Sequence, residues 1–145
     1  LKLESTSGGM TLSGVNTETL DLDSTSGTMT LIDTVTKTLT ADSTSGSLRF
    51  TGEAETITAD TTSGSVRLTP SVGILREIRV ESISGDVTVT LPATAGFSAS
   101  LDSMSGRFSG EFDARLTDGE YVYGDGKIHI SVETNSGNLR IERKK

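Results

Sequence analysis

Several residue types are missing or scarce in this chain of 145 residues. It has no cysteine, no tryptophan and only two prolines, and aromatic residues make up 4% of it. Because cysteine is absent, the chain has neither a disulfide framework nor thiolate chemistry. No run of apolar residues approaches the length that a transmembrane helix needs.

Basic residues are also scarce, and the net charge at pH 7 is −7. Nucleic acids and anionic membrane surfaces bind basic patches, so we expect neither as a direct partner. The chain begins at Leu1, inside a repeat. We therefore expect it to be a fragment of a longer protein, with contact to a membrane only through an N-terminal anchor outside this fragment.

What the chain does contain is a short phrase that occurs seven times. It reads apolar, acidic, Ser or Thr, any residue, Ser, Gly, and we call it the Ser-Gly phrase. Its copies are 3–8, 22–27, 41–46, 59–64, 80–85, 101–106 and 132–137. Their glycines lie 19, 19, 18, 21, 21 and 31 residues apart. A period of about this length is typical of stacked structural units.

Apolar residues change phase across each phrase. They lie seven and five residues before the glycine, as Leu39 and Ala41 do for Gly46, and two and four residues after it, as Leu48 and Phe50 do. A straight strand cannot keep both sets on one face, because a shift of one residue turns the side chains over. The phrase is therefore predicted to be a bend between two strands, where the glycine adopts a backbone conformation that a Cβ would penalise.

The predicted fold is all-β. We expect a single-domain parallel β-solenoid over residues 1–145, right-handed, with about seven coils and an irregular C-terminal coil. Each repeat of about 18–21 residues supplies two strands, and stacking joins their apolar faces into one core. A longer insertion at about 107–127 contains Asp118-Gly119 and both tyrosines. It predicts a hairpin or an extra coil that covers the C-terminal part of the stack.

The phrase and its flanks, particularly KIHISVETNSGNLRI at 127–141, resemble the bacterial "putative adhesin" domain family of unknown function, which includes the LiaG-like envelope proteins. The resemblance covers essentially the whole chain and rests on the repeated Ser-Gly bends and their strands. It implies a β-helical domain, often carried outside the membrane behind an N-terminal anchor, and it brings no catalytic motif. The long interval from Gly106 to Gly137 departs from the regular pattern.

One acidic residue in each phrase predicts a row of carboxylates along the stack. These residues are Glu4, Asp23, Asp42, Asp60, Glu81, Asp102 and Glu133. We favour a structural role, in which each carboxylate accepts backbone N–H bonds at its bend. Calcium is the alternative because it takes several oxygen ligands, although the glycine-rich nonapeptide of calcium-binding β-rolls is missing. We assign no metal site and no cofactor, and calcium is the cation to test.

No set of residues predicts a catalytic site. His129 is the single histidine, and its alternation with Ile128 and Ile130 turns it outward, whereas a Ser/His/Asp triad would need it in a cleft. A second pattern is a set of threonines expected on one outward face, at positions 17, 19, 36, 38, 40, 56 and 58. Threonine rows bind ice in some solenoids, but the β propensity of threonine explains this set.

Together these patterns favour a non-enzymatic cell-surface or envelope module for binding or scaffolding. Its partner would be a protein or a cell-wall glycan, and the residues do not identify which. One alternative is a degenerate carbohydrate-active β-helix, although four Phe, two Tyr and no Trp supply few rings to hold sugars. The other alternative is an assembly module that stacks end to end through its N-terminal coil.

Overall fold

The computed structural model describes residues 1–71, 75–92, 96–110, 115–117 and 120–144. Its strands are β1 (Lys2–Ser5), β2 (Met10–Ser13), β3 (Asn16–Ser24), β4 (Met29–Ser43), β5 (Leu48–Thr61), β6 (Val66–Ser71), β7 (Glu77–Ser82), β8 (Val87–Pro92), β9 (Phe97–Ser103), β10 (Phe108–Gly110), β11 (Arg115–Thr117), β12 (Glu120–Tyr123), β13 (Ile128–Thr134) and β14 (Leu139–Lys144). They form one curled, mostly parallel, 14-stranded sheet around an apolar core, which confirms the all-β, parallel class. Within these ranges no helix is long and apolar enough to cross a membrane.

Each Ser-Gly phrase joins two strand segments. We call the phrase together with these two segments a rung, and each rung is named by the glycine of its phrase. The Gly64 rung, for example, consists of the end of β5 and the whole of β6. Segments before the phrases pair in one parallel ladder, as β5 does with β7, and segments after them pair in a second, as β6 does with β8. The long strands β4 and β5 contribute to both ladders.

The change of apolar phase across the bend is confirmed. In the Gly46 rung the apolar residues seven and five positions before the glycine and two and four positions after it are all buried. They are Leu39, Ala41, Leu48 and Phe50. Neighbouring rungs place equivalent residues in register with them. A single rung cannot enclose this apolar surface, whereas the stack removes it from water at a gain of about 25 cal/mol per Å².

The order of the rungs in space differs from their order in the chain at one place. β13 pairs with β7 on one side and β9 on the other, and β14 likewise lies between β8 and β10. The Gly137 rung therefore lies between the Gly85 and Gly106 rungs. The expectation of an irregular C-terminal coil is wrong, because the last rung of the chain is regular and interior. The 31-residue interval before Gly137 supplies the chain length for this return.

The long interval contains a hairpin, one of the two predicted forms, and it covers the stack at the Gly106 rung. β11 and β12 pair antiparallel, and β12 pairs antiparallel with β9. Tyr121 stacks on Phe108 with ring centroids 3.9 Å apart, and Tyr123 stacks on Phe97 at 5.7 Å. These rings lie against the core at the Gly106 rung. The Asp118-Gly119 pair itself lies outside the described residues.

Candidate functional site along the Ser-Gly bends

The hydroxyl three residues before each glycine closes the bend. In the Gly46 rung the glycine N–H donates to Ser43 Oγ at 2.9 Å, and Ser43 Oγ donates to the glycine carbonyl at 3.0 Å. Glycine amides make the equivalent bond to Ser5, Ser24, Thr61, Ser82, Ser103 and Thr134. Because neighbouring residues of a strand point to opposite faces, this hydroxyl lies over the bend and the preceding carboxylate faces solvent. The predicted capping by carboxylates is therefore wrong for the described rungs.

In five phrases the serine directly before the glycine ties neighbouring rungs together, which is one of the roles expected of a hydroxyl at a bend. Ser26 Oγ donates to the Thr6 carbonyl at 3.2 Å, and Ser45 Oγ donates to the Thr25 carbonyl at 3.3 Å. Serines 63, 84 and 105 make corresponding bonds to the rung beside them. The two hydroxyl positions of the phrase thus hold the bend and the stack respectively.

The phrase glycines are required by contact between rungs. Positive φ values among glycines occur at Gly14, Gly52, Gly124 and Gly126, all outside the phrases, so the predicted backbone reason is wrong. A Cβ on Gly46 would instead overlap the carbonyl oxygen of Gly27. Glycines 27, 64, 85, 106 and 137 are packed in the same way against the preceding rung in space. The contact depends on tertiary structure and leaves no room for any side chain.

The acidic residues of the phrases form one continuous row, as predicted. In spatial order the acidic row is Glu4, Asp23, Asp42, Asp60, Glu81, Glu133 and Asp102. Strands in a sheet lie about 4.8 Å apart, so each carboxylate has a like charge on the neighbouring strand. This side of the protein is therefore a line of negative charge along the stack.

Asp42 shows the electrostatic cost of the row. Partial burial, followed by the negative charges of Asp60, Asp23 and Asp21, raises the pKa of Asp42 above its ordinary value of 3.8. Both causes act against the charged form, since burial removes hydration and the neighbours repel. At the end of the row, Glu4 lies 3.4 Å from the ammonium of Lys2, but both side chains are exposed and the pair contributes little.

A groove of about 380 Å³, which we call the corner groove, runs beside the acidic row. It is lined by Asp60, Thr61, Thr62, Glu81, Ser82, Ile83, Asp102, Met104, Glu133, Thr134 and Asn135. Met104 is 87% exposed and Ile83 is 52% exposed. Both occupy the variable position of the phrase, where four other copies have threonine. Sequence reasoning missed this pair, although apolar residues at an outward position signal a contact surface.

The carboxylates do not converge on a centre. Among the described residues there is no group of three or more His, Cys, Asp or Glu side chains that could hold a metal ion. Each rung contributes one carboxylate to a straight line, whereas calcium is surrounded by six to eight oxygens. The arrangement offers a line of negative charge to a partner.

His129 faces outward, as its alternation with isoleucines predicts. It is exposed on β13 and lies between Glu77 of β7 and Ser98 of β9 in the ladder. A histidine on an open strand surface does not by itself position a nucleophile, because general-base catalysis needs hydrogen-bond reach within a cleft.

The outward threonine row is only partly formed. Thr19, Thr38 and Thr56 are in register on three neighbouring strands, and Thr38 is exposed. Thr36 is buried instead, and its Oγ1 donates to the Glu18 carbonyl at 3.1 Å. The prediction that Thr36 belongs to the outward face is therefore wrong. Alternation shifts after Thr36, since Lys37 and Thr38 are both exposed and Leu39 is buried.

The fold has a counterpart among solved structures. The crystal structure of a putative cell adhesion protein from Clostridium sporogenes superposes with a TM-score of 0.69 at 14% sequence identity, over 99% of this chain and 92% of that chain. At this level of identity the similarity shows the fold alone. No curated protein matches the chain.

A family model matches the sequence of the chain itself. The model described as Toastrack DUF4097 matches residues 1–91, which is more than half of the chain and includes the first five phrases. This match confirms the family resemblance that the repeated bends carry. The chain belongs to the Toastrack DUF4097 family.

Proposed function

We propose that this domain is a non-enzymatic binding or scaffolding module of the bacterial cell surface or envelope. The corner groove supports the proposal most directly, because it sets two exposed apolar side chains beside four carboxylates on a regular ladder. Family membership and the cell adhesion name of the similar Clostridium sporogenes protein support the location.

The chemistry of the corner groove favours a protein partner with basic and apolar side chains over a neutral glycan. Ile83 and Met104 would lose contact with water on binding, which is favourable for apolar surface. The neighbouring carboxylates would attract and orient lysine or arginine side chains of the partner. No aromatic ring is present among the described residues that line this groove, and sugar-binding surfaces commonly use such rings.

The proposal is tested by sedimentation of the purified chain with a bacterial envelope fraction and, separately, with isolated peptidoglycan. We expect binding to the protein-containing envelope fraction that weakens as salt is added, because ionic strength screens the acidic row. The variant Ile83→Thr/Met104→Thr should bind at least about tenfold more weakly, which corresponds to about 1.4 kcal/mol.

Both substitutions introduce the residue that other copies have at this position, so the fold should be kept. Thr25→Ser changes the same position outside the groove and is the matched control, for which we expect unchanged binding. Equal binding by the double variant, or binding to peptidoglycan alone, would contradict the proposed groove chemistry.

The non-enzymatic assignment has its own test. The chain is incubated with peptidoglycan and with plant polysaccharides, and the release of new reducing ends is measured. We expect no release above the buffer control. Sustained turnover that disappears on Glu81→Gln or Glu133→Gln would instead support a carbohydrate-active β-helix, in which carboxylates act as acid and base.

We also infer that the ladders belong to a right-handed β-solenoid of about seven coils that forms one domain over 1–145. Seven bends and continuous parallel pairing from the Gly8 rung to the Gly106 rung support the coil number. Parallel crossovers are right-handed in nearly all proteins. A crystal structure that traces 72–74 and 93–95 tests the handedness, and a left-handed connection would contradict it.

A further inference from the structure

Backbone hydrogen bonds between successive bends follow one repeated scheme. The amide of the serine before a glycine donates to the preceding rung, as Ser26 does to the Thr6 carbonyl at 3.1 Å. The amide before that donates likewise, as Thr25 does to the Ser5 carbonyl at 3.0 Å. In the opposite direction, the amide two residues after a glycine donates to the next rung, as Met10 does to the Thr28 carbonyl at 2.9 Å.

The scheme continues to the last rung in space. The amides of Met29, Leu48, Val66, Val87 and Leu139 donate to carbonyls of Ser47, Ser65, Asp86, Asn138 and Arg107 respectively. The serine amides of the later bends, at 45, 63, 84, 136 and 105, donate backward in the same manner. The bends of the Gly8, Gly27, Gly46 and Gly64 rungs therefore offer two carbonyls and one amide to the rung that follows. At the Gly85 bend the Ile83 carbonyl accepts both amides, and at the Gly137 bend the Asn135 carbonyl accepts from Ser105.

At the Gly106 rung, these groups face the end of the stack. The equivalent carbonyls belong to Ser103 and Met104, and the equivalent amide belongs to Phe108. Within the described ranges, no rung follows this one, and β12 pairs with β9 only as far as Ala99. An unpaired parallel edge with a defined donor and acceptor pattern is a template for another extended chain.

A groove of about 420 Å³, the end groove, lies at this edge. It is lined by Leu101, Ser103, Gly106, Arg107, Phe108 and Tyr121. The ring of Tyr121 lies over Phe108, where the side chain of a further rung would have packed. Among the described residues the end groove is therefore open at the bend, and the Tyr121 ring covers the side chain of Phe108.

We propose that the end groove binds an extended polypeptide segment of a partner chain that carries Ser/Thr-x-Ser-Gly. Two segment amides would donate to the carbonyls of Ser103 and Met104, and the carbonyl after the segment glycine would accept from the amide of Phe108. The segment glycine would lie against the Gly106 carbonyl, in the position that Gly106 itself occupies against Gly137. Only glycine fits that position, so the contact selects the phrase by sequence.

This site lies at the end of the stack and is independent of the function proposed for the corner groove, so either can fail without the other. The probe is a blocked pentapeptide, Ser-Thr-Ser-Gly-Thr, with the sequence of residues 24–28. These residues make all three types of bond with the Gly8 rung inside this protein. The pentapeptide omits Asp23, whose charge would lie beside Asp102.

The experiment is residue-resolved amide hydrogen exchange by NMR on the whole chain, with and without the pentapeptide. We expect the amide of Phe108 to exchange at least about tenfold more slowly when the site is occupied. The amide of Leu139 is the internal control, since it already donates to the Arg107 carbonyl at 3.0 Å and should not change. Chemical-shift changes should be confined to 101–108 and 121.

Two altered pentapeptides separate recognition from general adhesion. Gly27→Val places a side chain against the Gly106 carbonyl, and N-methylation at Ser26 removes the donor to Met104; each should weaken binding at least tenfold. Protection of Phe108 that grows with protein concentration alone would identify a second copy as the source of the segment and would support the site. No protection at millimolar pentapeptide, equal binding of the valine pentapeptide, or shifts only at Thr6 and Ser7 would overturn the proposal.

Discussion

Replacing an interior phrase glycine by alanine tests the contact that sets the spacing between rungs. In Gly46→Ala the added Cβ would overlap the Gly27 carbonyl, and the atoms that it meets are backbone atoms, which cannot rotate away. Gly8→Ala makes the same change in the same phrase, but its Cβ would meet only Ser5 Oγ at 3.7 Å, an ordinary contact. The pair of variants therefore isolates the contact between rungs from the local preference of the bend.

The magnitude follows from two effects. Overpacking in a tightly packed interior costs about 1–3 kcal/mol. Separation of the rungs would also weaken the bonds from Thr44 and Ser45 to the Gly27 rung, now 3.2 and 2.9 Å long, at about 1 kcal/mol each. We expect Gly46→Ala to lower the free energy of unfolding by about 3–5 kcal/mol and Gly8→Ala to change it by less than about 0.5 kcal/mol.

Urea denaturation followed by far-UV circular dichroism measures the difference, and thermal unfolding provides a second readout. For a chain of this size about 1 kcal/mol corresponds to about 2–4 °C, so the midpoint of Gly46→Ala should fall by about 6–20 °C. Equal losses in the two variants would refute the contact argument and would restore a purely local, conformational role for the glycine.

Three further predictions concern the bend, the acidic row and the end of the stack. Ser43→Ala leaves the buried Gly46 amide without its acceptor and should cost about 1–3 kcal/mol in urea denaturation, whereas Ser43→Thr, the residue type of two other copies, should cost less than half as much. Asp42→Asn should raise the Tm at pH 7, because the raised pKa of Asp42 means that ionisation of this carboxyl destabilises the folded state. The gain in Tm should vanish below about pH 3.8 and shrink in high salt. A gain unchanged by pH would contradict this reasoning. Tyr121→Ala removes the ring stacked on Phe108 and should cost about 1–3 kcal/mol, with an unchanged urea midpoint as the contrary result.

The local pattern of apolar residues was sufficient to predict the strands and the bends. Alternation of apolar residues identifies both strands of a rung, and the change of phase across Gly46 requires a bend between them, because only one face of each strand is buried. Register followed as well, since every phrase has the same order of residues around its glycine and stacking places like residues on neighbouring strands. The acidic row is a direct consequence of that register, and the outward position of His129 follows from its alternation with buried isoleucines.

The corner groove was only partly accessible from the sequence. Its carboxylates belong to the predicted row, but its apolar pair, Ile83 and Met104, comes from rungs that are not adjacent. The Gly137 rung lies between them and contributes Asn135 at the same position. Nothing in the chain order indicates that these three positions line one groove.

The sequence by itself therefore determined the rung: two strands, a bend, the buried face and the repeat that makes stacking possible. Tertiary structure decided which rungs are neighbours, because all seven phrases present the same edge and local chemistry cannot distinguish one partner from another. It also decided why the phrase glycine is required. The alternation pattern suggests a special backbone conformation, whereas the structure shows that the carbonyl of the preceding rung occupies the space of a Cβ. That exclusion arises only when two rungs are stacked.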